Sequence, residues 1–201
     1  MARRAFRIGL TVLEGVTMNR LTKQMILKVA SLPAYAYVYW RSMRRQGDAR
    51  HDRARLFEDF VSPRPGERCL QIGVRGSKFG QNWVSVDLYD NSPEIDFNYD
   101  IADLRFEDEV FDRIACNAIL EHVVDPTIAL RELHRVLKVG GRIWVEVPFY
   151  QPYHPDPHDY WRVSPEGLRA WMKDFRELRS GVFSINNCFL YTGVFFWGEK
   201  T

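Results

Sequence analysis

A polar loop with two histidines and two aspartates follows the last long apolar run in the middle of the chain. The segment reads PFYQPYHPDPHDYWR over residues 148–162 and contains His154, Asp156, His158 and Asp159. A histidine is partly neutral at physiological pH, so His154 or His158 could take a proton from an attacking hydroxyl. Asp156 or Asp159 could orient that histidine. The alternative is that the loop is a structural cap that bonds only to itself.

The same loop offers a metal-ligand set as a second alternative. His154, Asp156 and His158 provide two imidazoles and a carboxylate, the ligands of a non-haem iron site. The prolines make the segment stiff, and the alternate residues of an extended chain spread over a long span. We therefore predict acid–base chemistry with no metal, and Arg162 either holds an acidic or sugar substrate or ties the loop down.

A strand–helix–strand unit precedes the loop and must position it. Residues 113–118 form a short apolar run, residues 120–137 are amphipathic, and residues 143–147 are apolar again after a Gly-Gly turn. Asp125 is the expected N-cap of the helix. This pattern predicts two parallel neighbouring strands joined by a right-handed crossover. The polar loop should then leave the carboxyl end of a central strand and cover the crevice there.

The order of motifs in this unit resembles a known family. FDRIACNAILEHVVDP followed by LRELHRVLKVGGRIWVEVPF is similar to the second half of a class I S-adenosylmethionine (SAM) dependent methyltransferase domain, whose members carry LEH and RVLKPGG here. The resemblance covers about residues 67–201 and is to the type 11-like, short-loop branch. It implies an α/β fold, a doubly wound Rossmann-like three-layer sandwich. Its sheet would be mostly parallel and seven-stranded, with a C-terminal antiparallel hairpin.

The first part of the domain contains features that fit a SAM site. Cys69 to Ile72 reads as a strand, and Gly73 and Gly76 form a turn that lets the backbone approach a ligand. Asp87 closes the next strand and could accept hydrogen bonds from both ribose hydroxyls. The switch-point argument and the resemblance together predict cofactor contacts at Gln71, Gly73, Gly76, Asp87, Leu88, Asp100, Ile101, Asn117 and His122. Another interpretation of His122 and its neighbour Glu121 is that they only fix the start of the helix.

The connection between the first two strands is unusually short. Ser77 to Asn82 leaves room for about one turn of helix, where the fold normally has a full helix. The family also carries an acid at the position of Gln71. However, QIGVRGSKFGQNWVSVDLYD resembles a branch of the family with the same gap, in which the shortened loop still carries SAM. We therefore predict a functional cofactor site, and a vestigial site is the alternative.

Charge divides the chain into a basic and an acidic part. Residues 1–53 hold eleven Lys/Arg and three acids, a net charge of +8, and the remainder holds 17 basic and 23 acidic residues, a net charge of −6. We predict a helical N-terminal extension over residues 1–62 and a methyltransferase domain over residues 63–201. The extension could be a packing layer, a lid, a homodimer contact or a basic surface for peripheral membrane contact. Nucleic acid is not an expected partner.

Two further expectations concern the compartment of the protein. No apolar run is long enough to span a bilayer. The cysteines Cys69, Cys116 and Cys188 show no paired spacing, so buried free thiols are expected. Both observations predict a cytoplasmic protein.

The resemblance predicts a SAM-dependent methyltransferase. Because relatives of the short-loop branch accompany the assembly of sugars, surface polysaccharides and small metabolites, the expected acceptor is a saccharide or small-molecule hydroxyl. The alternative is a non-catalytic SAM-fold protein that acts as a binding or scaffold subunit. Gln71 and the short first connection favour that alternative to some degree.

Overall fold

The computed structural model of the protein describes residues 49–74, 76–185 and 188–201, with side chains described for 53–74, 76–184 and 192–201. These residues belong to a compact unit that runs from Asp48 to Thr201. Most of the predicted N-terminal extension therefore lies outside the described residues. Its suggested roles as a lid, a dimer contact or a membrane surface stay predictions.

The described elements are three helices, one 3-10 turn and the six strands of one mixed sheet. In chain order they are helix α1 (Ala49–Val61), strands β1 (Cys69–Ile72), β2 (Trp83–Val86) and β3 (Phe111–Asn117), a 3-10 turn (Leu120–His122), helix α2 (Pro126–Val136), strand β4 (Leu137–Tyr150), helix α3 (Pro165–Trp171), and strands β5 (Phe175–Ile185) and β6 (Cys188–Lys200). The order across the sheet is β2-β1-β3-β4-β6-β5. Strands β2, β1, β3 and β4 pair in parallel, and β6 pairs antiparallel with both β4 and β5.

The strand–helix–strand unit predicted from the sequence is confirmed. Strands β3 and β4 are parallel neighbours, and helix α2 connects them. Asp125 caps the helix by accepting a hydrogen bond from the backbone N–H of Thr127, and Pro126 occupies the first helical turn, where no N–H partner is required. The antiparallel C-terminal hairpin, β5 and β6, is present as well.

The seventh strand of the prediction is absent from the described residues. At its place Phe97 makes a single parallel bridge to Val86. Backbone hydrogen bonds join Phe97 to Ser85 and Asp87, and side chains add to them, since Asp96 accepts from the backbone N–H of Ser85 at 2.8 Å and Asn98 donates to the carbonyl of Asp87 at 2.9 Å. Such side-chain bonds compete with a regular ladder. The described sheet therefore has six strands, and the three-layer arrangement stays a prediction.

Helix α1 packs on one face of the sheet. The ring of Phe60 lies 5.7 Å from Trp144 and 6.1 Å from Trp83, centroid to centroid. Cys69, Ala115 and Phe195 complete this aromatic cluster. The compact unit thus includes α1, which the sequence analysis assigned to the extension. The predicted boundary between residues 62 and 63 stays a prediction.

A buried ion pair fastens α1 to strand β4. Arg53 donates two hydrogen bonds to Glu146, from Nε to Oε1 at 2.7 Å and from Nη2 to Oε2 at 2.5 Å. Trp144 donates a third from Nε1 at 2.8 Å. Burial raises the pKa of Glu146, while the charge of Arg53 lowers it. The charge of Arg53 therefore offsets part of the cost of burying the Glu146 carboxylate beside the aromatic cluster.

Replacing Arg53 by methionine (R53M) should lower the free energy of unfolding by about 3 kcal/mol, because it leaves Glu146 buried without its cation. Urea denaturation measures the difference. R55M is the matched control, since Arg55 is exposed on the same helix and should change stability by less than about 0.5 kcal/mol. Equal stabilities of R53M and R55M would contradict the importance of the pair.

The sequence analysis made one prediction about the cysteine thiols and another about membrane-spanning segments. Cys69 and Cys116 are buried free thiols, as predicted. Burial raises the pKa of Cys69 to about 12 and that of Cys116 further still. The side chain of Cys188 lies outside the description. Among the described helices, none combines the length and the apolar character that crossing a membrane requires.

Candidate functional site

A cavity of about 850 Å³ opens at the sheet edge where the parallel strands end. Strands β1, β2 and β3 all point their carboxyl ends toward it, which is the position that ligands occupy in open α/β sheets. Its volume suits a ligand of cofactor size. The wall includes most residues that the sequence predicted for the site: Gly73, Gly76, Asp87, Leu88, Asp100, Ile101, Asn117, His122, His154 and His158.

The glycine turn after β1 forms one side of the cavity. Gly73 and Gly76 have φ values of +77° and +100°, which favour glycine. The Gly73 N–H donates to the carbonyl of Val86 at 2.8 Å, so the turn is held against β2. A Cβ on Gly73 would lie 2.3 Å from Cδ1 of Ile119. A side chain at Gly73 would therefore force the side chain of Ile119 to move.

Gln71 is outside the cavity wall, which differs from the predicted cofactor contact. The side chain is buried, and its Nε2 lies 3.3 Å from the carbonyl of Gly73 and 3.4 Å from that of Ser77. Its Oε1 accepts from the N–H of Phe79 at 3.0 Å. The amide thus shapes the glycine turn from behind, and its part in the site is positioning.

The short connection is stabilised by side chains and contains no helix among its described residues. The segment from Ser77 to Asn82, which has room for about one helical turn, is irregular. The ring of Phe79 packs edge-on against Phe57 of α1 and Trp83 of β2, at centroid distances of 5.6 and 5.2 Å. Lys78 forms an ion pair with Asp96. These contacts replace the missing helix and leave the cavity open.

The carboxylates on the wall are held by the backbone that follows them. Oδ1 of Asp87 accepts from the N–H groups of Tyr89 and Asp90, each at 2.9 Å. Asp100 accepts in the same way from Ala102 at 2.8 Å. One oxygen of Asp87 is thereby fixed, and the other keeps its capacity to accept bonds from ligand hydroxyls.

The end of β3 combines an unsatisfied amide with a strained backbone. Oδ1 of Asn117 is buried and has no hydrogen-bond partner within the described part of the chain. Ala118 has a φ of +53°, and its N–H donates to the carbonyl of Glu146 at 2.9 Å. Buried acceptors are normally satisfied and strained residues concentrate at functional sites. A ligand with a donor group, such as an ammonium, fits this position.

The polar loop lies over the 3-10 turn and covers the cavity as predicted. The N–H of Tyr160 donates to the carbonyl of Glu121, and Nε1 of Trp161 donates to that of Val123, both at 2.8 Å. Nδ1 of His122 bonds to the carbonyl of His158. Three bonds therefore fix the loop to the turn that follows β3.

Asp159, which the sequence analysis predicted to orient a loop histidine, lies beside His154. Its side chain is 1% exposed and is absent from the cavity wall. Arg162 donates to both its oxygens, at 2.6 and 2.7 Å, and the N–H of His154 donates to Oδ2 at 2.7 Å. The Arg162 guanidinium holds the pKa of Asp159 well below its usual range. The pair fixes the loop, as the structural alternative for Arg162 proposed.

His154 is the loop histidine that the protein holds most firmly. Its side chain is partly buried, with Nδ1 at 3.0 Å from the carbonyl of Pro152. Its Nε2 lies 3.8 Å from Oε1 of Glu121, which is fully buried, and Nε2 of His122 lies at the same distance. The His158 side chain is exposed. The sequence analysis missed Glu121, although an acid next to a histidine at a strand end was the available signal.

The metal-ligand set of His154, Asp156 and His158, which the sequence offered as an alternative, is not assembled in the described residues. The ligand atoms that approach one another within 4.8 Å belong to Glu121, His122 and His154. A bound cation would satisfy this spacing.

The rest of the wall is mostly apolar and was not foreseen from the sequence. Several separate segments contribute to it, so no local motif reveals it. Its members include Tyr99, Ile119, Val123, Val124, Ile128 and Tyr160.

Comparisons with known proteins agree with this geometry. The family described as "Methyltransferase domain" matches residues 79–145. A ubiquinone biosynthesis O-methyltransferase of Xanthomonas oryzae pv. oryzae (strain PXO99A) is 30% identical over 111 residues, covering 43% of this chain and 46% of the relative. A demethylmenaquinone methyltransferase of Clavibacter sepedonicus is 50% identical over 102 residues, covering 41% of this chain and 42% of the relative. The chain spans less than half the length of these two curated relatives.

A solved structure shares the architecture. The crystal structure of a SAM-dependent methyltransferase from Methanosarcina mazei aligns with a TM-score of 0.53 and 13% identity, covering 72% of this chain and 96% of that one. At this identity the likeness concerns the fold alone. The mixed sheet is thus a Rossmann-like sheet of the methyltransferase type.

Proposed function

Because this chain carries a class I SAM-dependent methyltransferase domain, we propose that it transfers a methyl group from SAM to an oxygen of a small organic acceptor. The observation that carries the proposal is the joint placement of Asp87, Asn117 and His154 on the wall of one cavity. These side chains come from three different elements, and each suits one part of the reaction. The activity, the acceptor and the base are proposals.

SAM is the cofactor of this domain, and the residues present fit it. The turn of Gly73 and Gly76 would let the cofactor lie close to the protein backbone. Asp87 would accept hydrogen bonds from the ribose hydroxyls, and the buried Oδ1 of Asn117 would accept one from the ammonium of the methionine part. When bound, SAM supplies a methyl carbon whose transfer breaks an S–C bond, forms an O–C bond and leaves one proton to be removed. Asp100 and Ile101 would line the adenine end.

His154 is the proposed general base. It lines the cavity, and the contact of Nδ1 with the carbonyl of Pro152 leaves Nε2 as the nitrogen that can take the acceptor proton. Asp159 holds the backbone N–H of this residue, so the imidazole is positioned before any acceptor binds. His158 also lines the cavity, but its exposed ring is less well positioned.

The acceptor is proposed to be a ring hydroxyl, and this proposal replaces the saccharide expected from the sequence. The names of both curated relatives refer to quinone biosynthesis. Val124, Ile128 and Tyr160 add apolar surface to the wall beside the histidines. An apolar wall suits a flat ring better than a sugar, whose many hydroxyls would each need a partner.

Calorimetry with SAM and S-adenosylhomocysteine, followed by transfer of a labelled methyl group to catechol and to glucose, tests the proposal. We expect binding of both nucleosides and methylation of catechol in preference to glucose. Absence of nucleoside binding would refute the enzyme. Binding without transfer to any acceptor would instead favour a non-catalytic scaffold, the alternative suggested by Gln71 and the short connection.

A further inference from the structure

We propose that Gln71 is a positioning residue of the cofactor site, and that its buried amide compensates for the short connection between β1 and β2. The amide both donates and accepts hydrogen bonds to the backbone of that connection, which an ionised carboxylate at the same position could not do. The inference rests on the proposed function, because the connection carries the glycine turn that SAM would contact. The competing explanation is that Gln71 only fills space beneath the turn.

The amide of Gln71 contacts three backbone groups of the connection. Its Nε2 lies 3.3 Å from the carbonyl oxygen of Gly73 and 3.4 Å from that of Ser77. Its Oε1 accepts from the N–H of Phe79 at 3.0 Å. Since an amide nitrogen carries two hydrogens, each hydrogen can meet one carbonyl. A reversed amide would place its oxygen against both carbonyls, so the surrounding backbone determines which end is nitrogen.

Burial makes these hydrogen bonds more important than similar bonds at the surface. The side chain of Gln71 is 3% exposed, so an amide that loses its partners there gains little from water. The backbone of a helix satisfies its own carbonyls, whereas the segment that follows the glycine turn is irregular. Gln71 therefore supplies hydrogen bonds that a helix in this place would make within itself.

The ring of Phe79 fastens the connection from its other side. It packs edge-on against Phe57 of α1 and Trp83 of β2, at centroid distances of 5.6 and 5.2 Å. Phe79 is thus held at its backbone by Gln71 and at its ring by two neighbouring elements. Loss of the amide would leave the ring contacts in place and free the part of the connection that faces the glycine turn.

The contact with Gly73 bears directly on the cavity. In a trans peptide the carbonyl and the N–H point in opposite directions, so a Gly73 carbonyl that faces Gln71 turns the N–H of Val74 away from it. Gln71 lies outside the cavity wall, whereas Gly73 and Val74 belong to it. The amide therefore orients a backbone donor of the turn toward the side where a ligand would lie.

The two features that the sequence analysis counted toward a non-catalytic scaffold explain each other in this way. An ionised acid at position 71 would accept from Phe79, but its other oxygen would face the carbonyls of Gly73 and Ser77 without a hydrogen to donate. A short connection with exactly these backbone groups requires an amide. Gln71 and the connection thus act as one unit that keeps the glycine turn in place.

The test compares Q71E and Q71M with the wild-type chain. Q71E keeps the length and the acceptor of the side chain and loses its donors, whereas Q71M keeps the length and loses both. Q81E is the matched control, because Gln81 is exposed in the same connection and Q81E adds the same charge there. Calorimetry measures the dissociation constant for SAM, and NMR measures the exchange of the Phe79 amide hydrogen in the chain without ligand.

Q71E should weaken SAM binding by about 30-fold and Q71M by about 10-fold, because the carboxylate loses the donors and also opposes the two carbonyls. At saturating SAM, kcat with catechol should fall by less than about threefold, so the loss appears in the KM for SAM. The Phe79 amide hydrogen should exchange about tenfold faster in Q71M, whose side chain lacks the acceptor, and stay protected in Q71E. Q81E should behave as the wild type in every measurement.

Three results would overturn the inference. The first is SAM binding in both Gln71 variants that is as tight as in the wild type, and the second is an unchanged exchange of the Phe79 hydrogen in Q71M. The third is tighter SAM binding in Q71E than in Q71M, since the donors would then have no role. Urea denaturation shows whether Q71E folds, and Q71M, which adds no charge, carries the first two criteria if it does not.

The exchange measurement separates this inference from the proposed function, because it needs neither SAM nor an acceptor. A wild-type chain that binds no SAM, but whose Phe79 hydrogen is protected and loses that protection in Q71M, would refute the proposed function and support the role of Gln71 in holding the connection. A wild-type chain that binds and uses SAM, with Q71M equal to it in affinity and exchange, would do the reverse.

Discussion

Replacing Gly73 by alanine should weaken SAM binding by about 100-fold. The residue has a φ of +77°, and its new Cβ would lie 2.3 Å from Cδ1 and 2.9 Å from Cγ1 of Ile119. An alanine whose φ lies in the left-handed region is strained, and the side chain of Ile119 must also be displaced. Each effect costs about 1 to 2 kcal/mol. A turn that relaxes to avoid the clash must return to the strained form to bind, so the sum of about 3 kcal/mol appears as lost affinity.

The controls separate backbone strain from crowding. Gly140 has a φ of +75°, lies outside the cavity wall, and a Cβ there would meet nothing within 4 Å. G140A should therefore cost stability alone, with an unchanged dissociation constant for SAM. G76A, at a φ of +100° with free space around it, should weaken binding less than G73A does. Calorimetry measures the dissociation constant for SAM of the three variants. Equal affinities of G73A and wild type would contradict the role of this turn.

The elements that the sequence predicted well are those with local signals. The unit of β3, α2 and β4 follows from two apolar runs around an amphipathic segment, with a cap at Asp125 that the structure confirms. The predicted seventh strand failed because Asp96 and Asn98 bond to backbone groups near β2. Their bonds depend on where β2 lies, and no local pattern of residues 95–98 reveals them.

The candidate site shows the same division. Gly73, Asp87 and Asn117 follow strand ends, so their place on the cavity wall could be inferred from strand order alone. Gln71 was assigned to contact the cofactor and Asp159 to orient a loop histidine, and the structure uses both to hold backbone N–H groups. A sequence gives the type of such a side chain but not its partner. The partner is set by how the short connection and the loop fold back.

Ile119 and Glu121 show what a motif conceals. They lie in the segment whose resemblance to a family was strongest, yet neither of them was predicted to have a role at the cavity. The side chain of Ile119 approaches the glycine turn, and that of Glu121 approaches a histidine 33 residues later in the chain. Both contacts join distant parts of the sequence. The motif therefore indicates the region of the site, and only the fold shows which distant residues contact each other there.

Replacing His154 by glutamine should lower kcat by about 100- to 1000-fold while the dissociation constant for SAM stays unchanged. A positioned base contributes a factor of this order, and glutamine keeps a polar side chain of similar length without a nitrogen that takes up protons. Turnover with catechol at saturating SAM, together with calorimetry for SAM alone, measures both quantities.

Two matched substitutions show whether this effect belongs to His154. H134Q alters a partly buried histidine on α2 that packs against Phe175 and lies outside the cavity wall, so kcat should stay at the wild-type value. H158Q changes an exposed ring and keeps the backbone carbonyl that His122 uses, so its loss should remain below about tenfold. A larger loss in H158Q than in H154Q would transfer the role of base to His158.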